Sequence, residues 1–259
     1  MAEILTSPQN PKIKELITLE TKSRARKASG LFVVEGRREY ERAVAAGYQT
    51  ATLFVREGET ETDRADFIVS PALYEKIAWR ESTEGIVAVM RVREQRLDDL
   101  SLSPSPLVLV LESVEKPGNL GAVLRTADAA GVDAVLICDP LTDLYNPNLI
   151  RASLGALFSV PVAACTSPEA HAWLVAHGLS ILTAQLQDSV LYYETDMVRP
   201  TALVFGTEDQ GLSDFWRERA DAHIRIPMAG QMDSLNVSVS AAILAFEAVR
   251  QRNQLKANL

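Results

Sequence analysis

The chain has 259 residues, 47% hydrophobic and 6% aromatic, with 26 Lys plus Arg against 34 Asp plus Glu for a formal charge of −8. The apolar fraction excludes a mostly disordered chain, and the length exceeds the ~100–150 residues of one compact domain, so two domains are expected. The acidic balance excludes indiscriminate coating of polyanions, whose affinity comes from Lys and Arg displacing phosphate counterions.

The N-terminal MAEILTSPQNPKIKEL has no apolar run behind a basic segment, and no stretch reaches the ~20 apolar residues of a membrane span. This predicts a cytoplasmic protein without a membrane partner. A polar helix is expected from about Pro11 to Lys27. Short apolar runs then alternate with helical patterns: FVVE (32–35), a charged helix from Arg37 to Ala46, ATLFV (51–55), DFIV (66–69), a helix from Pro71, and GIVAVMRV (85–92). The alternation predicts a small α/β domain over residues 1–100, with a helical extension at about 10–28.

A polar stretch ending in SLSPSP makes 101–106 the expected linker to a second domain at 107–259. There, LVLVL (107–111), AVLIC (134–138), FSVPVAA (158–164), LSILTA (179–184), TALVFG (201–206) and AHIRIP (222–227) alternate with helical patterns. Apolar strands with crossover helices predict an α/β domain with a mostly parallel sheet covered on both faces. Cys138 and Cys165 sit in apolar surroundings, and His171, His177 and His223 are scattered, so no metal is expected.

In such a sheet, ligands gather beyond the carboxyl ends of the strands. After Leu111, the Pro117–Gly118 turn leads to Asn119, a candidate N-cap for a helix over 120–130 that carries Arg125. Neither G-x-G-x-x-G nor G-x-x-x-x-G-K-[ST] is present, which disfavours dehydrogenases and P-loop enzymes. After TALVF, the segment GTEDQGL holds Glu208 between Gly206 and Gly211, with Ser213 available to cap a following helix. After Pro227 comes a loop, then a helix from near Leu235 that Ser234 or Asn236 could cap, its interior rich in small residues.

Three segments, KPGNLGAVLRTADAAGV (116–132), LVFGTEDQGL (203–212) and IPMAGQMDSLNVSVSAA (226–242), occur in this order and resemble the SpoU (TrmH) family of SPOUT-class RNA ribose methyltransferases. NPKIKEL and FVVEGRREYERAV also look like the ribosomal-protein-like α/β substrate-binding domain that precedes many members. The resemblance implies a C-terminal domain with a deep trefoil knot, S-adenosylmethionine as cofactor and a homodimer. It places the cofactor beside Gly206, Ile226 and Leu235, with Thr183, Ala184 and Met228 as neighbours. It makes Arg125 the group that acts on a ribose 2′-hydroxyl, with Asn119, Glu208, Ser234 and Asn236 completing the catalytic set; Glu208 would fix the second loop and is a candidate partner for Arg125. The substrate implied is structured RNA, ribosomal before transfer RNA. A base-methylating relative and a non-catalytic RNA-binding one stay open.

Charge is uneven along the chain. Between Asn10 and Arg42 lie nine basic and five acidic residues, whereas from Ser103 onward there are ten basic and seventeen acidic. The front segment is therefore where RNA phosphates are expected to bind, through Arg24, Arg26, Lys27, Arg37 and Arg38.

Overall fold

A computed structural model describes residues 3–78 and 84–257, in two compact units: Met1–Arg93 with Asp143–Ser159, and Glu94–Thr142 with Val160–Leu259. In the first unit, β1 (Glu3–Leu5) precedes α1 (Pro11–Thr21), which is capped by Asn10 accepting from the Lys12 N–H and has Pro11 at its first position. The expected single helix is in fact two. Lys22 is extended (φ −119°), and α2 (Ser23–Ser29) begins after it. There follow β2 (Leu31–Glu35), α3 (Arg37–Ala45), β3 (Thr50–Arg56), β4 (Phe67–Val69), α4 (Pro71–Ile77) and β5 (Ile86–Arg91).

The sheet order is β1-β4-β3-β5-β2, parallel on both sides of β4 and antiparallel on both sides of β5. Ile13, Leu16 and Leu19 lie on one face of α1 and pack into the core with Phe54, Val69, Leu73 and Val87.

The second unit opens with β6 (Leu107–Glu112), all six residues buried, as a central strand covered on both faces requires. It continues with α5 (Pro117–Ala130) and β7 (Ala134–Cys138). The short helices α6 (Pro147–Ala152) and α7 (Ala156–Ser159) belong to the first unit. Then come β8 (Val162–Cys165), α8 (Ser167–Ala176), β9 (Ser180–Ala184), β10 (Val190–Leu191), β11 (Thr201–Phe205), α9 (Asp214–Arg219), β12 (Ala222–Arg225) and α10 (Val237–Ala257). The sheet order is β10-β12-β9-β11-β6-β7-β8, with every ladder parallel. The strand expected from Phe158 starts only at Val162: Phe158 lies in α7, and Pro161 has no N–H to give a ladder.

Residues 143–159, which lie within the stretch 107–259, group with the first unit. They pack into the first unit through buried charges and aromatic rings. Arg26 Nε meets Asp143 at 2.6 Å, Arg151 meets Glu35 at 3.2 Å, and Arg42 donates to the Leu154 carbonyl at 2.8 Å. The Phe32 ring lies 4.4 Å from Tyr145 and 6.0 Å from Phe158, centre to centre.

Glu20 sits in this interior with an Oε1 that has no hydrogen-bond partner among the described residues. Burial, reinforced by the Glu35 carboxylate and opposed by Arg151, pushes its carboxyl up to about 8. The folded chain holds this proton more tightly than the unfolded chain, whose value is 4.5. Its contribution is therefore full at low pH and is lost as pH rises through about 8. Glu20→Gln should flatten denaturant-measured stability between about pH 4.5 and 8 and raise it at pH 9 by about 1–3 kcal/mol. A variant curve parallel to that of the native chain would count against this reading.

Candidate active site

β6, β11 and β12 run in parallel, so the loops after Glu112, Phe205 and Arg225 leave from the same edge of the sheet. The middle loop is the tightest. Thr207 and Gly211 exchange two backbone hydrogen bonds of 3.0 Å, and Gly211 has φ +70°. A Cβ on Gly206 would lie 2.1 Å from the Gly211 carbonyl oxygen and 2.4 Å from the Leu212 nitrogen. Glycine is therefore a steric requirement there.

Glu112, at the buried end of β6, anchors the far side of this loop by accepting from the Ser213 N–H at 2.8 Å and from its hydroxyl. Ser213 does stand at the N-cap of α9, but its hydroxyl goes to Glu112 and makes no capping bond. The sequence shows Glu112 only as the last residue of an apolar run, which gave no reason to single it out.

The three loops meet at Glu208. Its carboxylate accepts from Asn119 Nδ2 at 2.9 Å, from Asn236 Nδ2 and from Lys116 Nζ. Asn236 Nδ2 also reaches Asn119 Oδ1 at 3.2 Å, while Asn236 Oδ1 accepts from the Ser238 N–H at 3.0 Å and from its hydroxyl at 2.6 Å. Asn236 therefore caps α10 and joins the cluster at once. Asn119 is not the N-cap of α5: the helix begins at Pro117, Lys116 occupies the cap position, and the Asn119 side chain is free to turn to Glu208. Ser234 contacts Asp233 at 3.3 Å and stands outside this network.

Lys116 beside Glu208, seconded by Asn119, holds the Glu208 carboxyl below the usual carboxylate range; the same contact raises the Lys116 ammonium. Lys116 lies next to the PGN turn in the sequence, where its charge was the available signal. Arg125 is exposed on α5 and makes no ion pair or hydrogen bond among the described residues, so the partner of Glu208 is Lys116 and not Arg125.

Beside the cluster opens a cavity of about 290 Å³, at the lower edge of the small-molecule range. Ala184, Gly206, Ile226, Met228 and Leu235 line it. Thr183 does not; it is fully buried and its Oγ1 lies 2.5 Å from His223 Nδ1. Gln185 and Arg217, which no sequence motif marks, also line the cavity. Each has a buried polar atom, Oε1 and Nε respectively, without a hydrogen-bond partner among the described residues. Glu208, Asp209 and Asp233 give the wall an acidic side.

In the first unit, Arg24 and Lys27 are exposed on α2. Arg26 is not available to a ligand: it is 3% exposed, and its guanidinium is taken up by Asp143 and the carbonyls of Leu19 and Glu20. Its place in the sequence, between two exposed cations, gave no sign of burial. Arg37 forms an ion pair with Glu61, and Arg38 pairs with Glu39 at 2.9 Å. Among the described residues, no group of three or more His, Cys, Asp or Glu could hold a metal ion, and no helix is long and apolar enough to cross a membrane.

Residues 106–246, which contain all three loops, match the SpoU rRNA Methylase family. The chain belongs to this family. Residues 10–88 match the MRM3-like substrate binding domain. The chain is 31% identical over 247 residues to the 23S rRNA (guanosine(2553)-2'-O)-methyltransferase RlmP of Bacillus subtilis, covering 93% of this chain and 97% of that protein. It is also similar to an RNA 2'-O ribose methyltransferase of known structure, with 41% identity, a TM-score of 0.84, and coverage of 96% and 99% of the two chains. A third likeness is to the SpoU methyltransferase AviRb from Streptomyces viridochromogenes, solved with AdoMet, at 29% identity and TM-score 0.86, covering 95% of this chain and 100% of that one. The all-parallel sheet of the SpoU methylase region is thus accompanied by an N-terminal substrate-binding domain.

Proposed function

We propose that this SpoU-family chain methylates a ribose 2′-hydroxyl in structured RNA, ribosomal before transfer RNA, with S-adenosylmethionine as methyl donor. The observation that carries this reading is the convergence of the three family segments on one site, joined at Glu208 next to a pocket. The pocket residues fit the donor. Ile226, Met228 and Leu235 offer an apolar wall to a purine, Gln185 and Arg217 have unused hydrogen-bonding capacity, and Asp209 and Asp233 favour a cation. When bound, the donor supplies a methyl group on a sulfonium sulfur.

Arg125 acts on the ribose. A guanidinium has an ordinary pKa above ~12 and is a poor general base at neutral pH. Its role is to stabilise the alkoxide developing on the 2′-oxygen and to grip a neighbouring phosphate with its fork of donors. Asn119, Glu208 and Asn236 shape the site that receives the nucleotide, and Ser234 offers a hydroxyl beside the pocket. By family, the second unit closes in a deep trefoil knot, an arrangement rare enough that no reading of hydrophobic pattern predicts it. The active form is a homodimer, and the protein works in the cytoplasm, where its RNA is.

Residues 1–100, joined by 101–106 to the catalytic region from 107, select the RNA. Arg24 and Lys27 are the exposed cations that support this, with Arg37 and Arg38 at a second position already engaged by carboxylates. Arg24→Glu with Lys27→Glu should weaken RNA binding and lower the slope of log affinity against log salt by about 2, with cofactor binding intact. An unchanged slope would remove these residues from the interface. The reading as a whole is tested by incubating the protein with labelled S-adenosylmethionine and unmodified ribosomal RNA. Label in alkali-resistant dinucleotides supports ribose methylation, whereas label on a free base contradicts it.

A further inference from the structure

Glu208 has three donors from two helix beginnings: Lys116 and Asn119 from the start of α5, and Asn236 from the cap of α10. A carboxylate only accepts hydrogen bonds, so it forces both Asn side chains to present their NH2 groups inward. Asn236 Oδ1 is thereby left to Ser238, and Asn119 Oδ1 to Asn236. The orientation of both amides follows from where Glu208 sits and from its being ionised. Lys116 is the one cation among its partners, and its side chain is 69% exposed. An ion pair this exposed contributes little to folding, since water screens it. A structural tie is therefore a poor account of it.

We propose that Lys116 is a positioning residue for methyl transfer, which fixes the Glu208 carboxylate against the first turn of α5 and the cap of α10 and thereby sets the amides of Asn119 and Asn236. The inference rests on the proposed ribose methylation and names a further residue of that same site. Lys116 acts through Glu208 and needs no contact with the reacting atoms. Because Lys116 holds the Glu208 carboxyl below its ordinary range, its removal lets Glu208 take up a proton at higher pH. A protonated Glu208 donates as well as accepts, and the amide arrangement loses its single solution.

The experiment compares Lys116→Met and Lys116→Arg with the native chain. Thermal stability and S-adenosylmethionine affinity by calorimetry should be unchanged in both. In Lys116→Met, kcat should fall about tenfold with KM for RNA within about twofold, and the acid limb of the kcat profile should move to higher pH. Lys116→Arg should restore most of kcat and the native limb. In the protein without ligands, the side-chain amide resonances of Asn119 and Asn236 should shift or broaden in Lys116→Met and return in Lys116→Arg. Native kcat, limb and amide resonances in Lys116→Met overturn the proposal. A salt slope of RNA binding reduced by about one with kcat intact also overturns it, making Lys116 a phosphate contact instead. Failure of the native chain itself to transfer a methyl group to RNA belongs to the functional reading, and the amide resonances still decide the role of Lys116.

Discussion

Replacing Arg125 by Ala is expected to lower methyl transfer by about 10²–10³-fold, while S-adenosylmethionine binding and thermal stability stay as they are. The expectation combines position with chemistry. The side chain is exposed on α5 with no protein partner among the described residues, so its removal leaves no buried charge unpaired and opens no cavity. Every effect on rate is then attributable to the lost guanidinium. Lysine retains the charge without the planar fork, so Arg125→Lys should fall between the native chain and Arg125→Ala if electrostatic stabilisation and phosphate grip are what matter. Single-turnover rates at saturating cofactor separate these outcomes. Near-native rates in both variants would take Arg125 out of the mechanism.

Gly206→Ala should severely weaken cofactor binding. The added methyl group would stand 2.1 Å from the Gly211 carbonyl oxygen and 2.2 Å from its carbon, both backbone atoms that no rotamer change can move. Relief requires parting the Thr207–Gly211 bridge, which shapes one wall of the cavity and presents Glu208 to Asn119 and Asn236. Calorimetric titration should show at least a 100-fold loss of S-adenosylmethionine affinity, together with a lowered melting temperature. Native affinity in a folded Gly206→Ala chain would mean that the pocket lies elsewhere.

The second unit was the more legible part of the chain. LVLVL and AVLIC are apolar over their whole length, and LSILTA and TALVF are nearly so, because a parallel sheet buries both faces, and each forms the expected strand. β1 and β10, of three and two residues, carry no pattern that marks them, whereas β4, also of three, shows as DFIV. Pro161 hid the true start of β8 inside an apolar run, and Lys22 broke a helix that polarity alone portrays as continuous.

The assignment of residues 143–159 was not legible, since it depends on pairs such as Arg26–Asp143 whose members lie 117 residues apart. The same pair explains why Arg26 reads as a surface cation and is buried. At the site, Asn119, Glu208 and Asn236 stand out in the three segments, while Lys116 of the first segment does not. Their partners were less legible: a carboxylate that binds Lys116, and Thr183 turned to His223, follow from side-chain directions that no spacing encodes.

The central claim is that this chain places a methyl group on a ribose oxygen of RNA. Its most direct test is to map 2′-O-methylation across all ribosomal and transfer RNA in a strain lacking the gene, in its parent, and in the strain complemented with the native chain or with Arg125→Ala. The account predicts that a ribose methylation, in ribosomal RNA, disappears on deletion and returns with the native chain but not with Arg125→Ala. Identical ribose maps in all four strains, or the loss of a base methylation in their place, would contradict it.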